Sequence, residues 1–523
     1  MRYALTELSS RRAEERAVAD LGVTLTDLML RAGTALAREV DRRVPYGAVA
    51  ILVGRGNNGG DGWVAARRLA EAGREVRVFS PLAPDALDGI AGDAARGAVS
   101  AGVAFEQVDG ALDAGALHGY GVVVDALLGI GFAGPVRQPV VTWIDAVNGS
   151  GATVFSADIP SGVDSDTGHV DAHAVRAHVT VTFSAPKVGL LLYPGAEYAG
   201  EIVVADIGVP WEFLGSAGDL EVWQPGDYAS LLPHHAPDVH KNARGRVLIV
   251  AGSGAFPGAA VLAAMGAQRA GAGYVTLAVP ESVAPIAQAK LTSAVVIGLP
   301  ENPSRTLASK VAEEIIDVAR EYDAVVVGPG LTLAHGAVLV VRKLVADLSA
   351  PLVLDADGLN AMVEAVPALS GRTTPTVITP HPGELARLLD TTPVGVQADR
   401  LSYGARLSGP RFACVLKGAH TVVSGRGRHA VCVAGGPELA SAGTGDVLAG
   451  MVGALLAQGL EPFEAGALGA YLHGRAGEFA ALELTPRCVI AEDLPVYLPR
   501  AMADLLGSSG GSTVDPERGG SYG

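Results

Sequence analysis

With 523 residues, 49% hydrophobic and 18% charged, the chain exceeds what one hydrophobic core usually serves and reads as two globular domains with tightly packed, Ala- and Gly-rich helices. Its formal net charge of −16 opposes nucleic acid and anionic lipid surfaces, and no Lys/Arg cluster offsets that field, so the reading has no nucleic-acid and no membrane partner. Three cysteines, Cys414, Cys432 and Cys488, lack CxxC or metal-ligand spacing and are expected as buried free thiols in a reducing compartment. Residues 1–20 alternate charged and apolar groups too often for a signal-peptide core, and no window of about twenty residues is continuously apolar, so a cytoplasmic protein is expected.

In chain order, the first predicted element is a helix over residues 24–40. Leu25, Leu28, Met29, Ala32, Leu36 and Val40 fall on one face, which would lie on a sheet or form a dimer surface in a homo-oligomer. Short β-rich runs follow at 48–53, 75–79, 122–125, 153–159, 179–183 and 202–204, alternating with helical stretches. Continuous apolar strands with long connections predict a parallel sheet under helical crossovers, a Rossmann-like αβα unit. The run 48–53 enters Gly54-Arg55-Gly56-Asn57-Asn58-Gly59-Gly60-Asp61-Gly62 and then a helical pattern. Such a junction offers free backbone N–H groups and a helix dipole to a phosphate. Asn58, Asp125 and Asp158 stand at the carboxyl ends of predicted strands, where open α/β sheets hold ligands, and Lys187 follows a further strand end. A lone Asp there is often a cap or turn former, and a lone Lys is often solvated, but together they mark a cleft.

A second alternation starts after Trp223-Gln224-Pro225-Gly226 and a His/Pro-rich connector over 231–240. Strands are predicted at 246–251, 274–279, 324–327, 352–355, 376–379, 414–417 and 421–423, with helices between most of them, again α/β. The stretch 507–523 is Gly/Ser-rich without apolar periodicity and is expected to be a disordered tail. Ser441-Ala442-Gly443-Thr444-Gly445-Asp446 places a Gly-rich turn before a helix, where backbone N–H groups can hold a transferring phosphoryl while Asp446 takes a hydroxyl proton. In a chain with 68 glycines that motif alone is weak. Its companions make the set discriminating: Lys417-Gly418-Ala419-His420-Thr421, Gly328-Pro329-Gly330-Leu331-Thr332, Asp355-Ala356-Asp357-Gly358-Leu359-Asn360 and Thr379-Pro380-His381-Pro382-Gly383-Glu384. The plain alternatives are that His381 only shapes a loop and that Asp357 or Asn360 caps a helix.

The N-terminal set, Asn57 to Gly62, Asp125 to Pro135, Ala157 to Asp164 and Lys187, resembles the epimerases of hydrated NADH and NADPH. That resemblance implies that Asn57, Asn58, Gly59, Gly60 and Asp61 with Gly129, Ile130, Gly131, Phe132, Ala133, Gly134 and Pro135 wrap the nucleotide. It further implies that Asp158 holds the substrate and that Asn58, Asp125 and Ser161 ligate potassium. Asp158 and Lys187 are the candidates for proton transfer at C6 of the nicotinamide ring. The C-terminal set, with His240-Lys241 and Gly252-Ser253 to Ala260, resembles the ADP- or ATP-dependent dehydratases of the same hydrates, relatives of the ribokinase-like kinases. By that resemblance Lys417, Gly418, Ala419, His420, Thr421 and Gly445 bind the adenine nucleotide. Ala259, Gly330, His381 and Asp446 contact the hydrated cofactor, with Asp446 the base and Mg²⁺ on the phosphates. Where these relatives carry a glycine after His-Lys, this chain has Asn242, whose tolerance of positive φ would preserve a turn.

The whole chain thus resembles the bifunctional NAD(P)H-hydrate repair enzymes, with an epimerase over 1–215, a dehydratase over 222–506 and a tail over 507–523. Its implied partners are NADHX, NADPHX and ADP or ATP. ADP against ATP, and NADHX against NADPHX, stay open. The rivals are a small-molecule kinase, for instance of a vitamin precursor, fused to a nucleotide-binding domain, and a regulatory or scaffold protein with a pocket but no turnover.

Overall fold

The computed structural model describes residues 2–217 and 219–508 and separates into two compact α/β units, one ending at Glu221 and the other starting at Val222. In the N-terminal unit the strands are β1 (Val49–Val53), β2 (Val76–Ser80), β3 (Ala104–Gln107), β4 (Val122–Ala126), β5 (Thr153–Ala157), β6 (Val179–Phe183) and β7 (Glu201–Ala205). They pair, all parallel, in the order β3-β2-β1-β4-β5-β6-β7. Alternate residues of β1 serve different cores: Val49, Ile51 and Val53 join one cluster, Ala50 and Leu52 the other. A strand buried on both faces must be apolar throughout, which is why β1 reads as an unbroken run and the unit is a three-layer αβα sandwich.

Two helices precede the sheet. Helix α1 (Glu7–Leu21) was not foreseen from its charge-rich sequence, and α2 (Leu25–Arg43) starts with a capping box between Thr24 and Asp27. The apolar face foreseen on α2 is buried at Leu28, Met29, Ala32, Leu36 and Val40, whereas Leu25 stays exposed. Helix α3 (Asn57–Glu71) leaves the loop after β1.

The C-terminal unit is built on β8 (Arg246–Val250), β9 (Tyr274–Pro280), β10 (Val295–Leu299), β11 (Ala324–Val327), β12 (Leu352–Leu354), β13 (Thr376–Ile378), β14 (Phe412–Leu416), β15 (Thr421–Gly425) and β16 (Arg428–Cys432). Their order is β16-β15-β14-β13-β12-β11-β8-β9-β10, parallel except for the β14–β15 and β15–β16 pairs. Val247 and Ile249 of β8 enter one core, Leu248 and Val250 the other, so this sheet is also covered on both faces. On one face α4 (Pro257–Arg269) and α6 (Thr444–Ala457) pack so closely that a Cβ at Gly450 would lie 1.9 Å from the Ala263 carbonyl oxygen. Helix α5 (Pro382–Leu388) follows β13, and α7 (Pro462–Leu484) follows α6.

Three sequence expectations need correction. Strands β3, β10 and β16 were not foreseen, because β3 is exposed at every position, β10 is buried only at Leu299 and β16 is buried only over its last three residues, so none offers a continuous buried run. Cys414 and Cys432 are buried free thiols, with burial pushing each up to about 12, but Cys488 is exposed. The expected tail begins later than thought, since the last helix (Asp493–Ser508) includes Gly507 and Ser508. Residues 509–523 lie outside the described residues.

Candidate functional site

In the N-terminal sheet the strand order reverses between β1 and β4, and open parallel sheets hold ligands beyond the carboxyl ends of the strands at such a point. There a cleft of about 890 Å³ opens, lined by Asn57, Asn58 and Asp61 on one side, Gly129 to Ala133 on another, and Asp158. The walls approach closely, because a Cβ at Gly54 would sit 1.9 Å from the Leu127 carbonyl oxygen. Gly56 caps α3 without a side-chain bond, which leaves first-turn N–H groups for a ligand anion. Gly59 and Gly60 are buried in that first turn, and Gly134 and Pro135 follow the lining stretch without joining it.

Asp158 adopts a left-handed backbone, φ 62°, one of the sparsely populated conformations that cost about 1–3 kcal/mol and persist only where their surroundings impose them. Its Oδ1 accepts from Lys187 Nζ at 2.6 Å, Thr182 Oγ1 at 3.0 Å and the Phe183 N–H at 3.0 Å. Lys187 Nζ also donates to Thr182 Oγ1 and to the carbonyls of Phe183 and Ala185, each at 3.1 Å. The pair is buried, and Lys187 stands behind Asp158 rather than among the cleft-lining residues. Its geometry is that of a group that fixes the orientation of Asp158.

Asn58, Asp125 and Ser161 meet around the Leu128 peptide. Asn58 Nδ2 donates to the Leu128 carbonyl at 2.8 Å, and the Leu128 N–H donates to Ser161 Oγ at 2.9 Å. Asp125 accepts from Ser161 Oγ at 2.5 Å, from the Ser161 N–H at 2.8 Å and from Ser156 Oγ at 2.9 Å. Burial raises the Asp125 carboxyl above its ordinary value, and the bonds from Ser161, Ser156 and Leu127 oppose that rise. None of the largest contributions comes from a Lys or Arg. A buried carboxylate without an ion pair among the described residues, among amide, hydroxyl and carbonyl oxygens, is a donor set that suits a hard cation.

In the C-terminal unit the sheet order reverses between β8 and β11. The loops after these strands touch: the Gly252 N–H donates to the Pro329 carbonyl at 2.7 Å, and a Cβ at Gly330 would lie 2.9 Å from the Ala259 Cβ. Gly330 has φ 65° and no room for a side chain. Asp357 caps no helix; its carboxylate accepts from the Thr332 N–H at 2.8 Å, while Asn360 accepts from Arg387.

Lys417, at the end of β14, pairs with Asp355 Oδ1 at 2.8 Å and lies 3.8 Å from Glu384 Oε2. Burial lowers the Lys417 ammonium, but the Asp355 and Glu384 carboxylates outweigh it and hold the group above its ordinary value. A Cβ at Gly445 would lie 3.3 Å from Lys417 Nζ, so the cation faces the first turn of α6. Burial, with Asp355 second, pushes the Asp446 carboxyl up to about 7, against the pull of Lys417. Asp446 is thus a carboxyl group poised near neutrality beside a cation and a helix N-terminus with no side-chain cap. His381 does shape its loop: Nδ1 accepts from the Gly383 N–H at 3.0 Å to cap α5, and Nε2 lies 3.5 Å from Glu384. Burial lowers the imidazole below its ordinary value.

Several positioning groups escaped the sequence reading. Buried Arg400 donates to the carbonyls of Ala419 at 2.7 Å and Leu416 at 2.8 Å, clamping the Lys417 to Thr421 loop, in which His420 has φ 53°. His473 of α7 lies 2.9 Å from the Thr444 carbonyl, and burial depresses its imidazole to about 4. Glu14 of α1 lines the N-terminal cleft. Asn242 lies in a 3₁₀ turn (Lys241–Arg244) without positive φ; the left-handed residue is Gly245, φ 88°, so the expected role of Asn242 is not needed.

Residues 25–189 match the family described as YjeF-related protein N-terminus, and residues 247–500 match the family described as NAD(P)H-hydrate dehydratase. A bifunctional NAD(P)H-hydrate repair enzyme of Thermofilum pendens is 40% identical over 512 residues, covering 96% of each chain. One of Moorella thermoacetica is 36% identical over 522 residues, covering 96% of this chain and 97% of its own. An ADP/ATP-dependent NAD(P)H-hydrate dehydratase from Bacillus subtilis, co-crystallized with ATP/Mg²⁺, is 28% identical, with 55% of this chain and 99% of that one covered at a TM-score of 0.46.

Proposed function

The chain belongs to the family of bifunctional NAD(P)H-hydrate repair enzymes, and from that membership we propose a division of labour. The N-terminal unit interconverts the R and S epimers of hydrated NADH and NADPH, and the C-terminal unit dehydrates the S epimer at the expense of ADP or ATP. The observation that carries this reading is that each unit places a carboxylate, Asp158 or Asp446, beside a lysine that follows the carboxyl end of a strand in its own sheet.

In the C-terminal site Asp446 takes the C6 hydroxyl proton as the oxygen attacks the terminal phosphoryl group. The nucleotide's P–O bond breaks, and C6 now carries phosphate in place of hydroxide. The ring nitrogen then expels phosphate, and loss of a C5 proton restores the dihydropyridine. Lys417 and the first turn of α6 supply positive potential where phosphoryl charge develops. Residues 417–421 and Gly445 bind the adenine nucleotide, and Ala259, Gly330 and His381, with Asp446, contact the hydrated cofactor. Mg²⁺ bound to the nucleotide would neutralise phosphate charge.

In the N-terminal site residues 57–61 and 129–135 embrace the nucleotide while Asp158 acts at C6. Potassium held by Asn58, Asp125 and Ser161 would neutralise the buried Asp125 and stiffen the loop at Leu128. Exposed Leu21, Leu25 and Leu30 on α1 and α2 support a homo-oligomer. The unpaired thiols support a reducing, cytoplasmic setting.

The deciding experiment follows absorbance of the reduced nicotinamide after mixing the protein with hydrated NADH epimers, Mg²⁺, K⁺ and either ADP or ATP. Recovery from both epimers is the expected result. A stable phosphorylated product without recovery would instead identify a small-molecule kinase.

A further inference from the structure

Changing configuration at C6 needs a group that gives a proton as well as one that takes it. Lys187 is poorly placed to be the donor: an ammonium has three protons, and four acceptors surround this one. Three other carboxyl groups line the cleft without a hydrogen-bond or ion-pair partner among the described residues, Glu14, Glu15 and Asp61, and of these Glu15 is exposed. Asp61 is only 9% exposed. Glu14 lies on the face of α1 that also buries Ser10 and Ala17. That helix is docked by the strand of chain carrying Lys187: the Leu5 N–H donates to the Pro186 carbonyl at 2.9 Å, and the Val188 N–H to the Leu5 carbonyl at 3.1 Å. The backbone around Lys187 thus fixes the helix that carries Glu14, while its side chain fixes Asp158.

We propose that Glu14 is the proton donor that works against Asp158 in epimerisation, with Asp61 lining the same cleft. The proposal rests on the N-terminal cleft being the epimerase site. In one direction the C6–O bond breaks, and its electron pair leaves with oxygen, which takes the Glu14 proton and departs as water. The ring nitrogen lone pair forms the N1=C6 bond. Water then adds to the other face of C6, the π pair returns to nitrogen, and the surplus proton goes to Asp158. Nothing is oxidised or reduced, and the reverse turnover starts from the complementary protonation state.

The groups facing Glu14 are Asp158, Lys187, Arg11, Glu15 and Asp61. Burial, then Asp158, pushes the Glu14 carboxyl up to about 7, while Lys187 and Arg11 pull it back. Burial likewise raises Asp61 well above its ordinary value. A donor works protonated, so epimerisation should hold below that point and fall as pH rises through it.

The test uses the full chain with separated NADHX epimers, following R–S interconversion by chromatography across pH, with S-epimer dehydration read in the same samples. Glu14→Gln should slow interconversion by about 10²–10⁴-fold, a typical contribution from general acid–base catalysis, and abolish the fall near neutrality. Dehydration should be unchanged, and Glu14→Asp should restore part of the rate with a displaced limb. The proposal is overturned if Glu14→Gln interconverts within about twofold of the parent, or is slow yet keeps the parent's pH limb, since a proton donor must change both. A parent protein that dehydrates the S epimer but never interconverts the two would sink the epimerase reading itself.

Discussion

Asp446 gains its reactivity from where it is held. Because burial and Asp355 raise its carboxyl to about 7, the ionised base is absent well below that value and present above it, so dehydration should climb with pH through neutrality. Asp446→Asn should lower dehydration by about 10²–10⁴-fold and flatten that climb while epimerisation persists, read as nicotinamide absorbance and epimer ratio. Lys187 makes a different prediction. Removing one partner of a buried pair leaves an uncompensated charge, so Lys187→Met should cost the N-terminal unit about 3–5 kcal/mol in denaturant unfolding. The double change with Asp158→Asn should regain much of that stability but no epimerisation. Asn58, Asp125 and Asp158 were legible in the sequence because a polar side chain ending an apolar run is visible without a structure. Glu14, Arg400 and His473 were not, since each sits in ordinary helical sequence and meets its site only through tertiary packing.

Among the elements, strands with a continuous apolar run announced themselves, the edge strand β7 included, and those without one did not. β6 and β11 are found where they were foreseen, while β3, with Ala104, Phe105, Glu106 and Gln107 all exposed, offers no pattern to read. Helix α1 was hidden because Ala13 and Ala17 form only a thin buried stripe among charges. The α4–α6 contact shows what composition can and cannot foretell: abundant Gly and Ala promised close helices, but not that Gly450 would face the Ala263 carbonyl. Gly450→Ala should therefore destabilise the C-terminal unit by about 1–3 kcal/mol, measured by thermal unfolding, through forced separation of the helices. The nucleotide KM should rise with it, because α6 begins at the turn proposed to hold the transferring phosphoryl.

For the whole molecule, two sheets with separate strand-order reversals carry two sites, and the proposed roles predict different ionic needs for them. Chelating Mg²⁺ should stop dehydration and leave interconversion of the epimers running, which a chromatographic assay with and without EDTA would show. The two alternations of strand and helix made this duality legible in the sequence, since each repeats the αβα rhythm on its own core. The cysteines carry a practical consequence. Thiolates, not thiols, react with maleimides. Cys414 and Cys432 are sealed in the sheet and held protonated, whereas Cys488 stands in the open between the last two helices. A dye offered to the native protein should therefore attach once per chain, giving a fluorescent reporter whose position is known before any residue is engineered.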